Sequence, residues 1–271
     1  MDRASPHRAW QPFTFGGVAS FAKASLGRLL LAQLIVSALV AGAVMWLMAA
    51  SWFPIAERAI NGLPEKASIR NRRLDWPEPV PRDFLAENQF LSIRVELEGS
   101  FPVDQSADVR VILGNRSVRV QSLLGYLGIP YPEGWVVSLS RADARAWWGA
   151  WRSVLLLGVG VGTMVGLLLV WFALACLYAV PVRLLAFYLD RNAGWRSSWQ
   201  LACATLLPGA VVMACAVALY TLRRLDLVGL LFAWLLHVVM AWVYLIYAPT
   251  RLDRLGTVTA RSPNPFRSGL R

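Results

Sequence analysis

The chain reads as an α-helical integral membrane protein: a four-helix transmembrane bundle with a small extracytoplasmic α+β domain inserted between helices 1 and 2. Three observations predict this. Hydrophobic residues make up 57% of the sequence and the mean hydropathy is +0.49, above the roughly 45–50% apolar content of soluble domains. The apolar excess sits in four long runs. The positive charge lies in segments that alternate along the chain.

The formal net charge is +11, but its distribution argues against nucleic acid as a partner. Residues 54–151 hold 12 basic and 12 acidic side chains, so the one sizeable polar region is neutral. Residues 1–28, 182–199 and 249–271 together hold 12 basic against 3 acidic side chains. That surplus follows the positive-inside pattern. It puts both termini of a multi-pass membrane protein in the cytoplasm. A DNA-binding protein would instead need a basic face on a folded soluble domain.

Residues 1–28 form a cytoplasmic N-terminus, with an aromatic interfacial stretch over 13–26 and a disordered start. Residues 29–53 carry no charge and are long enough for a bilayer core of about 30 Å. Met48-Ala49-Ala50-Ser51 makes a poor cleavage site, so this helix should stay as an anchor. The second span covers 152–181 and should stop at Pro181 and Arg183. A cytoplasmic loop, 182–199, leads to the third span at 200–222, where Pro208-Gly209 should introduce a kink. A tight turn joins it to the fourth span at 227–248. Residues 249–271 form a cytoplasmic tail, disordered from 255 onward on its Gly, Ser, Pro and Arg content. Aromatic belts support these depths: Trp52, Phe53, Trp147, Trp148 and Trp151 outside, and Tyr178, Trp195, Trp199, Tyr244 and Tyr247 inside.

In the extracytoplasmic domain, residues 54–61 continue the first helix as far as Gly62. Residues 91–97 alternate apolar and polar side chains as a half-buried strand does. Residues 109–113 and 118–120 flank Gly114-Asn115 as a hairpin. Residues 69–74 and 135–139 are weaker strands. Ser140 with Asp143 reads as a capping box opening a helix that runs through Trp147-Trp148 into the second span. Arg94, Glu96, Arg110 and Arg119 should pair across the solvent face of the sheet. The domain has no histidine or cysteine, and the three cysteines, Cys176, Cys203 and Cys215, all lie in apolar runs. No metal or other cofactor is therefore expected.

Two motifs stand out in the spans. Gly158, Gly162 and Gly166 share one face of the second helix, where the lack of side chains lets another helix approach. The expected partner is a helix of the same bundle; self-association is the alternative. His237 is the ionisable residue at the middle of the fourth span, and such residues are functional candidates by default. Ala233, His237, Ala241 and Tyr244 share its face and should point into the bundle. The plainer reading is a neutral histidine hydrogen-bonded to a neighbouring helix, since no second ionisable group lies deep in another span.

A Phe-rich stretch with Gly27-Arg28 enters the first span, and Ile60-Asn61-Gly62-Leu63-Pro64 follows it. A strand then closes on Gly99, and Val111-Ile112-Leu113-Gly114 precedes another. With Trp199-Gln200 ahead of Pro208, the chain over residues 11–250 resembles a domain-of-unknown-function family of bacterial membrane proteins. Some members of that family are described as maltodextrin-utilisation proteins, and the membrane half looks like the broader Yip-type fold. Glu96 stands where the resemblance leads one to expect Asp. The resemblance implies no catalytic or binding residues.

Three functions compete. A non-enzymatic membrane component would bind or sense a partner protein through the extracytoplasmic domain, with membrane lipids around its spans. A small-molecule transporter or channel would need a polar path, and Gln33, Thr163, Thr205 and His237 offer little. An enzyme would need an ionisable cluster at an interface, and Arg183 to Arg196 with Asp190 resembles an ordinary basic loop. The first reading is preferred.

Overall fold

A computed structural model describes residues 13–77, 84–97 and 107–254. The expected disordered segments, and Gly99 at the end of its strand, lie outside the described residues. Among the described residues, four helices are long and apolar enough to cross a membrane. The chain divides into a helical unit, residues 1–43, 160–220 and 228–271, and a sheet unit, residues 44–159 and 221–227.

In the helical unit, α1 (Phe15–Ser20) starts on Thr14, whose hydroxyl accepts from the Gly17 N–H at 3.0 Å. This capped turn is more than the interfacial stretch expected there. Val18, Ala19, Phe21 and Ala22 are buried in the unit's core with Leu29, Val182, Leu201 and Leu245. The Tyr244 hydroxyl donates to the Phe13 carbonyl at 2.6 Å, and Phe15 packs on the rings of Tyr244 and Tyr247. Helix α2 (Leu26–Leu47) passes through a π-helical turn, Met48–Trp52, into α3 (Phe53–Asn61). Pro54 cannot donate to the preceding turn and its ring crowds it, so a widened turn just before Pro54 has a local cause.

Helix α4 runs unbroken over Arg141–Tyr188, well past the end expected at Pro181. One missing N–H is tolerable where packing holds the backbone, and Val182 and Ala186 are buried on the far side of the proline. The helix ends where Asp190 takes a left-handed conformation (φ 52°) and the Arg191 N–H donates to the Ala186 carbonyl at 2.8 Å, a left-handed C-terminal cap. Helices α5 (Trp195–Thr221) and α6 (Leu227–Tyr247) contain most of the apolar runs read at 200–222 and 227–248, with α5 starting inside the expected loop. Helix α5 is the central one: every residue from 201 to 210 is buried. Its Ala, Cys and Gly content permits that close packing. The other long helices turn Leu30, Leu157, Leu169, Phe232 and Val239 outward, each about half or more exposed. Apolar exposure on that scale suits a lipid environment and not water.

In the sheet unit, β1 (Ser68–Arg70) and β2 (Arg73–Asp75) form a hairpin, and β8 (Val137–Ser138) joins the other side of β1. The single strand expected over 69–74 is thus two strands. Asn71 and Arg72 both have positive φ (47° and 62°), as a tight primed hairpin turn demands. The larger sheet has the order β3-β4-β5-β6-β7, from β3 (Phe84–Glu87), β4 (Leu91–Glu96), β5 (Val109–Gly114), β6 (Ser117–Ser122) and β7 (Gly125–Pro130). Only β4 and β5 pair in parallel.

The β5–β6 hairpin is present with Leu113 opposite Val118, but its loop is Asn115-Arg116, one residue later than expected. Gly114 ends β5 because a Cβ there would lie 2.9 Å from the Ser117 carbonyl oxygen. The strand registers put Leu91, Ile93, Val95, Val109, Val111, Leu113, Val118 and Val120 on one face. Ile55 and Ala59 of α3 cover one end of that face, and Leu63, Ile69, Leu74, Trp76 and Tyr131 cover the other.

Tyr131 donates its hydroxyl to the Gly114 carbonyl at 2.9 Å. Burial pushes its pKa from 10.0 up to about 12. The folded protein therefore keeps Tyr131 neutral at a pH where the unfolded chain has already ionised it. Its contribution is complete below about pH 10 and is lost as pH rises from 10 towards 12. Tyr131→Phe should cost about 1 kcal/mol at neutral pH and should weaken the alkaline loss of stability, read by thermal unfolding between pH 8 and 12.

Candidate functional site

Helix α6 carries His237 at its middle, and there its main chain comes close to α5. A Cβ on Gly209 would lie 2.7 Å from the His237 carbonyl oxygen and 3.5 Å from its Cα. The two helices meet backbone to backbone at this point, next to Pro208. Only glycine leaves that space.

The His237 ring does not bridge the two helices. Its Nδ1 lies 2.5 Å from the carbonyl oxygen of Trp234, one turn back on α6. A carbonyl can only accept, so Nδ1 carries the hydrogen. The expected hydrogen bond to a neighbouring helix is replaced by one within its own helix, because α6 meets α5 through its main chain at this residue. The ring also lies beside Trp234, with centroids 6.1 Å apart. Of the face expected to point inward, Ala241 and Tyr244 are buried, while Ala233 and His237 are only half-buried. No ion pair among the described residues includes His237.

Thr205 and Ser37 are likewise tied within their own helices, while Gln200 reaches a distant segment. The Thr205 hydroxyl donates to the Ala202 carbonyl at 2.8 Å and the Ser37 hydroxyl to Leu34 at 3.0 Å. Gln200 ties the start of α5 to the Ala24 carbonyl at 3.1 Å. Such bonds satisfy the side chain without leaving a set of groups converging on a ligand.

The glycine face behaves differently from expectation. A Cβ added at Gly158, Gly162 or Gly166 would meet nothing within 4 Å. The close approach expected inside the bundle is not made there; it is made at Gly209. A glycine repeat identifies residues on one face, but not what covers that face.

At the end of α4, the Arg183 guanidinium stacks 4.1 Å from the Trp195 ring, a cation–π contact. Arg191 donates to the Leu252 carbonyl at 2.5 Å. Lys23 pairs with Asp253, and the Asn192 N–H donates to the Asp253 carbonyl at 3.0 Å. The basic loop is therefore built into the contacts that hold the ends of α4 and α5 and the segment after α6.

In the sheet unit, Ser92, Arg94, Glu96, Arg110 and Arg119 share the face opposite the apolar one. Arg119 pairs with Glu96 at 2.9 Å, as expected, but their side chains are only 17% and 9% exposed. Ser92 and Arg110 are buried as well. The face expected to meet solvent is shielded: alternation reveals which residues share a face and not whether water reaches it. Of the expected capping box one arm is made, the Asp143 N–H donating to the Ser140 hydroxyl at 3.2 Å; the Asp143 carboxylate accepts from the Ser138 and Ser140 hydroxyls, and the Ser140 N–H donates to Ser138 instead.

Among the described residues, no three His, Cys, Asp or Glu side chains come together as a metal site would require. Sequence reasoning located Pro208-Gly209 and His237 separately and missed their contact. The available signal was a glycine beside small residues, Ala204 and Ala210, at a depth matching His237. No protein-family model, curated protein or solved structure matches the chain.

Proposed function

We propose that the chain is a four-span protein of a bacterial cytoplasmic membrane, with both termini inside and the sheet domain outside. It acts as a non-enzymatic binding, sensing or accessory component. The charge distribution supports the orientation. So do the contacts that join the N-terminal segment, the α4–α5 loop and the segment after α6. The α5–α6 turn, residues 221–227, groups with the sheet unit, as a shared outer side requires.

One observation carries the functional reading. The Asn88 side-chain amide, in the β3–β4 turn, donates to the Ser51 carbonyl at 2.7 Å, at the outer end of the first expected span. Helical structure continues from there through α3, which packs under β3 and β4. A partner bound to the sheet would thus act on structure continuous with a membrane helix.

The transporter reading places a titrating His237 at its centre. His237→Asn keeps a polar group and removes titration. Full complementation by a normally expressed His237→Asn protein in the native host is expected. A well-expressed but inactive variant would favour the transporter.

A further inference from the structure

We infer that the β6–β7 hairpin is a third membrane contact of the sheet domain, its Leu123-Leu124 turn seated in the outer leaflet. The inference rests on the reading that the four helices cross a membrane. One end of the sheet is fixed to the outer end of an expected span. Asn88 holds the Ser51 carbonyl, and the same asparagine accepts from the Phe90 and Leu91 N–H groups where β4 begins. The first rung of the sheet is therefore at the membrane end.

Register carries that level sideways. Leu91 is opposite Val109, Val109 is opposite Ser122, and Ser122 is opposite Gly125. Leu123 and Leu124 lie one step beyond that rung. They sit three strand spacings from β4, about 14 Å, at the end of the sheet nearest Ser51. The opposite rung runs Glu96, Gly114, Ser117, Pro130, and its hairpin turn is Asn115-Arg116.

The two turns differ as the two environments would demand. A water-facing turn takes polar residues, and the far one has Asn and Arg. The near one has two leucines, exposed by 55% and 79%, with Tyr126 and Leu127 exposed by 73% and 60% beside them. No charged residue occurs between Arg119 and Glu133. Edge strands that face water are normally blunted by charge, and β7 has none. Two helices leading from this unit into the expected spans keep the outer leaflet as the nearest apolar phase.

The test uses the full chain with Cys176, Cys203 and Cys215 replaced by alanine, reconstituted in nanodiscs of phosphatidylcholine and phosphatidylglycerol. A spin label is placed singly by Leu124→Cys, Asn115→Cys or Val165→Cys. Accessibility to oxygen and to a water-soluble nickel chelate is then compared. The Leu124 label should report a depth of about 5–10 Å at the headgroup–acyl boundary, the Asn115 label water, and the Val165 label deep lipid. A water-exposed Leu124 label with Val165 in lipid overturns the inference. So does a Leu124 label shielded from both reagents with spin–spin broadening, which would mean that a second copy covers the hairpin. A water-exposed Val165 label would instead remove the membrane-spanning reading on which the inference depends.

Discussion

Gly209→Val should destabilise the protein far more than Gly162→Leu does. Its Cβ alone would lie 2.7 Å from the His237 carbonyl oxygen, and the obstacle is main chain on both sides. Relief requires α5 and α6 to separate, in the part of α5 where every residue from 201 to 210 is buried. Overpacking of this kind costs about 1–3 kcal/mol, and sometimes more. Gly162→Leu provides the contrast, because its Cβ meets nothing within 4 Å and its effect should stay within about 0.5 kcal/mol. Thermal unfolding in mild detergent compares the two. Equal losses would mean that something approaches the glycine face; a change in oligomeric state with Gly162→Leu would identify a second copy.

Glu96→Ala is expected to cost far more than the deletion of an exposed charge in the sheet domain. Arg119 is held at 2.9 Å by Glu96, their side chains only 17% and 9% exposed, and breaking so shielded a pair by removing one partner costs more than breaking an exposed one, up to about 3 kcal/mol. Glu96→Ala with Arg119→Met should lose less than the two single variants summed, because each single variant already removes the same pair. The Arg72–Glu133 pair is a matched control. It is just as short at 2.7 Å but 57% and 71% exposed, and Glu133→Ala should cost no more than about 1 kcal/mol. Hydrogen exchange of the β4–β6 amides in the full chain reads each effect. Similar losses at both pairs would show that the Glu96 face is open to water.

The apolar runs located all four long helices, because nothing but a continuous run can bury or dissolve so much hydrophobic surface. Their ends were harder. Pro181 carries a strong stop signal, yet Val182 and Ala186 are buried beyond it and the helix continues to Tyr188. Strands β4, β5 and β6 were legible through alternation and a turn signal. Strand β7 was not, since Gly125, Gly128 and Pro130 all read as breakers; it pairs with β6 alone and lies at the sheet edge, where proline is tolerated. The 69–74 segment was read as one strand because nothing but Asn71 marks the turn, and Arg72 is an unusual residue at positive φ. At the candidate site, His237 was visible as a lone ionisable residue in an apolar run. Its partner was not visible, because that depends on which backbone passes closest, and Gly209 decides it from another helix.

The central claim is that four spans separate a sheet domain on one side from both termini on the other. Reporter fusions active in only one compartment, placed at Gly269 and within the domain at Glu133, test it directly in growing cells. The account predicts that the Gly269 fusion reports the cytoplasm and the Glu133 fusion the outer compartment. The same compartment for both positions would contradict it.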